Sequence, residues 1–97
     1  MELKEKLTAE VHETTWKPLA EHFARGVVYY LEPELDLIDV GEAMATDNVA
    51  TLKKWLDDGL IYTPTPELAT QFNEDQDQFF LMLIIEPYVL IQKKGLS

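Results

Sequence analysis

From Phe79 to Ile91 the chain runs through thirteen residues whose apolar character is interrupted only at Glu86-Pro87. A helix needs about 20 apolar residues to cross a bilayer, so this run is too short and too broken to span one. In water it has to be covered on both faces, either by helices of the same chain or by a second copy of it. Two geometries fit the interruption. One is a tight two-residue hairpin, with Pro87 at the third turn position, which is disfavoured for a trans proline. The other is a kinked or bulged strand at a sheet edge, because proline cannot donate to a central ladder.

The remaining elements follow from period and punctuation. Leu3, Leu7 and Val11 recur every four residues and predict an amphipathic helix from about Glu2 to Thr14. Thr15 is a suitable N-cap for a second helix that accepts Pro18 in its first turn and carries Trp16, Leu19 and Phe23 inward. Gly26 is suited to end it. Val27 to Leu31 is β-branched and aromatic and predicts a strand, stopped by Glu32-Pro33-Glu34. A third helix capped by Asp36 or Asp39 reaches about Thr46; Asp39 and Glu42 have capping-box spacing. Asp47 is placed to cap a fourth, with Val49, Leu52, Trp55 and Leu56 as its apolar stripe and Gly59 at its end. Leu60-Ile61-Tyr62 is extended, because Thr63-Pro64-Thr65-Pro66 excludes helix. Thr65 with Pro66 then starts a fifth helix carrying Leu68 and Phe72, followed by a polar loop from Asn73 to Gln78. The pattern predicts an α+β fold: about five short helices on a small, antiparallel sheet of residues 27–31 and 79–91. One domain is expected over residues 1–92, with 93–97 as a frayed tail.

Composition removes several function classes. The chain of 97 residues has 18 Asp plus Glu against 8 Lys plus Arg, a formal charge of −10. A field of that sign opposes nucleic acid and anionic membrane surfaces. There is no cysteine, hence no disulfide framework, thiolate metal site or cysteine nucleophile. Met1 to Lys6 is charged, with no apolar segment behind it, so no signal peptide is expected and the cytoplasm is the default location. Four scattered glycines suit helix ends and turns better than a phosphate loop.

The acidity is regional. Residues 1–26 carry five acids and four bases, whereas residues 27–92 carry thirteen acids and only Lys53 and Lys54. Three clusters result. Glu32, Glu34, Asp36, Asp39 and Glu42 are dense enough to suggest a hard-cation or carboxylate-based site, with Asp36, Asp39 and Glu42 as metal-ligand candidates; helix capping and a solvated turn are the favoured explanation. In the Asn73–Gln78 stretch, which holds Glu74, Asp75 and Asp77, oxygens at the alternate positions 73, 75 and 77 resemble the start of a calcium loop, but Gln78 stands at the required glycine and Ile84 at the required glutamate. Asp57-Asp58 closes a helix with the charge that opposes its dipole, which raises the prospect of a partner contact. His12 and His22, the two histidines, adjoin Glu13 and Glu21, yet neighbours in sequence do not face each other on a helix.

Residues 40–61 also read as a helix-turn-helix running into a wing, with Asn48, Thr51, Lys53 and Lys54 as its base and phosphate readers. The turn lacks its usual glycine, and two lysines among thirteen acids can supply few phosphate contacts.

Leu35-Asp36-Leu37-Ile38-Asp39-Val40-Gly41, Asp47-Asn48-Val49-Ala50, Trp55-Leu56-Asp57-Asp58-Gly59-Leu60 and Glu86-Pro87-Tyr88-Val89-Leu90-Ile91-Gln92 together resemble a small bacterial family known as domain of unknown function 2288. The resemblance extends from Leu3 to Gln92. It implies a bacterial source and a stand-alone small protein, and it brings no activity, ligand or catalytic residue with it.

The expectation from sequence is a non-catalytic, self-associating module, a homodimer that docks a basic protein partner and needs no cofactor. Glu32, Glu34, Asp57, Asp58, Glu74, Asp75 and Asp77 are the candidate partner-binding residues. The alternatives are a metal-dependent site or enzyme on Asp36, Asp39 and Glu42, and a DNA-binding regulator on residues 40–61.

Overall fold

The apolar run folds into a hairpin. The computed structural model describes residues 3–75 and 77–94. In it β4 (Phe80–Ile85) and β5 (Tyr88–Lys93) pair antiparallel, from Phe80 opposite Lys93 to Ile85 opposite Tyr88. Only Glu86 and Pro87 remain for the turn, and the peptide between them is cis. The objection to a tight turn concerns a trans proline, so it does not apply. The alternative of a kinked edge strand is corrected as well, because β4 and β5 both lie inside the sheet.

Eight further elements precede the hairpin: α1 (Leu3–Glu10), β1 (His12–Thr14), α2 (Trp16–Ala24), β2 (Val28–Leu31), α3 (Leu37–Ala45), α4 (Val49–Asp57), β3 (Ile61–Tyr62) and α5 (Pro66–Glu74). The strands form one sheet in the order β1-β4-β5-β2-β3, with β2 and β5 parallel and the other pairs antiparallel. The expected α+β fold is therefore present, with a mixed and mostly antiparallel sheet. No helix among the described residues is long and apolar enough to cross a membrane.

The apolar character of β4, and of β5 as far as Ile91, has a direct cause. Successive strand residues point to opposite faces, and helices cover both. Val28, Tyr30, Phe80, Val89 and Ile91 pack with Trp16 and Leu19 of α2 and Ala69 and Phe72 of α5. Leu31, Leu83 and Leu90 pack on the other side with Leu7 of α1 and Leu37 and Val40 of α3. Strands buried on both faces lose the apolar–polar alternation of a half-exposed sheet. The chain's own helices cover the run, so its apolarity alone does not call for a second copy.

Several local expectations are corrected. The first helix stops at Glu10, and residues 12–14 pair with Phe80–Met82 as an edge strand. Val11, Thr14 and Thr15 are β-branched, and the open edge of β4 offers hydrogen-bond partners that a fraying helix end lacks. Thr15 precedes α2 in extended conformation, but its side chain makes no cap. Of the two residues expected to cap α3, Asp36 does so, accepting from the amides of Ile38 and Asp39. Asn48, rather than Asp47, caps α4 by accepting from the Thr51 amide, while Asp47 takes a left-handed turn conformation at φ 57°. Thr65 caps α5 with Pro66 behind it, as expected, and α5 extends to Glu74. Gln76, within the expected polar loop, lies outside the described residues.

The tail expected from Lys93 starts later. Lys93 closes β5 with its ammonium 5.6 Å from the centre of the Phe72 ring. The Lys94 amide donates to the Phe79 carbonyl and its side chain pairs with Glu13. Residues 95–97 of that expected tail lie outside the described residues.

Gln92 fastens the loop after β2. Its Nε2 donates to the carbonyls of Glu32 at 3.0 Å and Leu35 at 2.7 Å. Gln92→Ala is expected to cost about 1–3 kcal/mol, because two partly buried acceptors lose their donor. The urea midpoint reads the loss, and faster hydrogen exchange confined to residues 32–37 locates it. Unchanged exchange there would show that the amide does not hold the loop.

Candidate functional site

The acidic residues are divided by local chemistry. Asp36 is occupied as the α3 cap. Asp39 and Glu42, one turn further on, face Lys4 of α1, whose Nζ lies 2.9 Å from Asp39 Oδ1 and 3.9 Å from Glu42 Oε1. The hydrogen bond to Asp39 and then the charges of Asp39 and Glu42 raise the Lys4 pKa above the usual lysine value. One ammonium thus already faces two of the three metal-ligand candidates and offsets one of their two charges. Among the described residues no group of three His, Asp or Glu side chains is placed to hold a metal ion.

Glu32 is part of the scaffold. The Tyr62 hydroxyl donates to its Oε2 at 2.5 Å, joining the loop after β2 to β3. Burial, and then the hydrogen bond to Glu32, push the Tyr62 hydroxyl well above the usual tyrosine range. Burial and then the charge of Glu32 also raise the adjacent Tyr30 hydroxyl. Glu34 is exposed in the same loop. Asp57 and Asp58 pair with Lys53 and Lys54 at 3.6 and 3.7 Å across one helical turn. Exposed pairs of this kind contribute little to stability, but they reduce the charge free to meet a partner. Glu74, Asp75 and Asp77 are exposed around the end of α5.

The helix-turn-helix segment exists as α3, a turn and α4, followed by β3. Of its four expected readers, Asn48 and the Thr51 amide form the cap, and the two lysines face the aspartates one turn on. His12 lies on the edge strand β1 and His22 near the end of α2.

The feature that stands apart is a groove. The expected apolar stripe of α4 is only partly used: Leu52 and Trp55 pack on the core, while Val49 is 67% exposed and Leu56 is 49% exposed. Val49, Leu52 and Leu56 share a helical face at spacings of three and four. Leu52 and Leu56 form one wall of a groove of about 320 Å³. Met44 of α3, Ile61 of β3 and Ile85 of β4 form its base, and Tyr29 and Tyr88, in edge contact at 5.6 Å between ring centres, form the far wall. The polar members of the lining are acidic: Asp47 from the turn before α4 and Glu86 from the hairpin turn. The ion pairs among the described residues involve neither of them. A mostly apolar concavity with a few convergent polar groups has the form of a binding site.

None of the candidate partner-binding residues lines this groove. Asp47 was expected to cap a helix and Glu86 to break a strand, so neither stood out as a binding residue. The usable signal was the i, i+7 pair Val49 and Leu56 on a helix with acids at both ends.

A family model described as "Protein of unknown function (DUF2288)" matches residues 2–93. The fold is similar to the NMR solution structure of PA1075 from Pseudomonas aeruginosa, with a TM-score of 0.83 and 30% sequence identity over 97% of this chain and 86% of that one. No curated protein matches the sequence.

Proposed function

The chain belongs to the DUF2288 family, and from that premise, which carries no activity with it, we propose that it is a binding module whose groove between α4 and the β4–β5 turn docks a basic, apolar segment of a protein partner. The observation that carries this reading is the exposure of Leu56 and Tyr88 beside Asp47 and Glu86. Exposed large apolar side chains gathered into a concavity mark interaction surfaces more often than scattered ones do. The two carboxylates give the groove a sign, and the formal charge of −10 adds long-range attraction for a basic segment. A groove of about 320 Å³ has room for roughly two or three large apolar side chains, the anchor number of a short amphipathic helix.

The test is an NMR titration with an amphipathic leucine–lysine peptide, using its leucine–glutamate counterpart as control. The lysine peptide is expected to shift the amides of Leu52, Leu56 and Tyr88 first. Leu56→Glu is expected to weaken it by about tenfold or more, as loss of an anchor contact does. Shifts spread evenly over Glu34, Glu74 and Asp77, with no preference for the groove, would mean that general charge attraction is all there is.

A further inference from the structure

The hairpin turn separates two hollows that differ in charge. On the α3–α4 side lies the acidic groove. On the α2 side, Val27, Ile84 and Val89 line a second hollow of about 250 Å³ together with His22, Arg25 and Glu86, and Arg25 is its one cation. Glu86 borders both. Arg25 is the only arginine of the chain, and the ion pairs among the described residues do not involve it. Ile84 is 39% exposed beside it, just as Leu56 and Tyr88 are exposed on the opposite side.

We infer that this end of the molecule is a self-association surface, and that the basic apolar element entering the acidic groove is the α2 corner of a second copy of the chain. The inference rests on the docking role given to that groove and names its occupant. The symmetry is favourable. A two-fold axis in the plane of the sheet, crossing near the Glu86–Pro87 turn, reverses the strands and exchanges the two faces. Each acidic groove is then continued by the partner's hollow, which carries Arg25, and one rotation makes both contacts at once, as a closed isologous dimer requires. Arg25 of each protomer meets the partner's Asp47, and Ile84 covers apolar surface beside the partner's Leu56. Arg25 is suited to this position because a guanidinium can hold a carboxylate by two parallel hydrogen bonds. The contact brings two chains of charge −10 together, so it belongs to ordinary ionic strength, where the Debye length is about 8 Å and the overall repulsion is screened.

Light scattering after size exclusion, on the full chain from about 10 to 500 μM in 0.15 M salt, tests it. The wild type is expected to reach about 22 kDa, twice the 11.2 kDa of one chain. Arg25→Glu and Asp47→Lys are each expected to return it to the monomer mass, because each sets like charges against one another. The combined variant is expected to recover the dimer with the pair reversed. Arg25 and Asp47 are exposed, and the amide spectrum of each variant confirms its fold. A wild type that stays monomeric over the whole range, or a dimer that neither swap disturbs, overturns the inference. The leucine–lysine peptide separates this result from the docking role. A monomeric wild type that binds the peptide in the groove loses the self-association alone, and a monomer that ignores the peptide loses both.

Discussion

Trp16→Ala is expected to cost about 3–5 kcal/mol, the range for deleting a large buried aromatic side chain. Trp16 is 3% exposed and stands at the centre of an aromatic cluster. Its ring lies 5.7 Å from Phe23, 5.1 Å from Phe72 and 6.2 Å from Phe80, in tilted arrangements. These rings join α2, α5 and β4, so the cavity opens where two helices meet the sheet and neither can move alone to fill it. Domains of this size have total stabilities of about 5–15 kcal/mol, and the loss corresponds to a fall in Tm of roughly 15 °C or more. Urea and thermal unfolding measure it. A loss below about 1.5 kcal/mol would mean that the cluster collapses around the missing ring, contrary to its packing.

Leu83→Ala is expected to cost about 2.7–5 kcal/mol alone, and Gly41→Ala to recover part of that loss when the two are combined. Leu83 is fully buried beneath α3. A Cβ built on Gly41 would lie 2.6 Å from Leu83 Cδ2, 3.5 Å from Leu7 Cδ1 and 3.7 Å from Ile85 Cδ1. The absent side chain is what allows α3 to approach the sheet this closely. In the wild-type background, Gly41→Ala gains about 1 kcal/mol of helix propensity. It must also displace the buried Leu83 side chain, at about 1–3 kcal/mol. Removing the Leu83 side chain opens the volume that the new methyl needs. A double-mutant cycle is therefore expected to show favourable coupling of about 1–2 kcal/mol. Additivity within about 0.5 kcal/mol would place the two residues out of contact.

Much of the architecture could be read from local signals, because those signals act over a few residues. Gly26 and Gly59 sit at φ 76°, where a helix end needs a residue without Cβ. Thr65-Pro66 starts α5, and Asp36 caps α3, because both motifs are complete within four residues. The family was recognisable for a similar reason: four short segments in order identify it without any knowledge of how they pack. The errors fall where a distant element decided the outcome. Residues 12–14 carry no strand signal strong enough to end a helix, and they pair because β4 presents an open edge. Asp47 and Asn48 are both good caps; the closing turn of α3 places Asp47 in the left-handed region and leaves the cap to Asn48.

The candidate site was less legible, and the reason is spatial. Its walls come from β2, α3, α4, β3 and the β4–β5 turn, so no window of the sequence contains it. Most of the Glu32–Glu42 cluster and the Asp57-Asp58 pair are occupied locally, through the α3 cap, Lys4, Tyr62 and the lysines of α4, while Glu34, Glu74, Asp75 and Asp77 stay exposed away from the groove. The carboxylates of the groove, Asp47 and Glu86, are isolated in sequence and are brought together only by the packing.

The sequence by itself therefore determined the positions of most elements, the need to bury Phe79–Ile91 on two faces, and the excess of acid beyond residue 27. Those properties depend on residue type and short-range period. Only the tertiary structure decided that the chain's own helices supply both covers, that residues 12–14 form a strand, and that Leu56 and Tyr88 stay exposed between Asp47 and Glu86. Those outcomes depend on which surfaces meet once the sheet is assembled, and hydrogen bonds and apolar contacts between residues far apart in the chain set them.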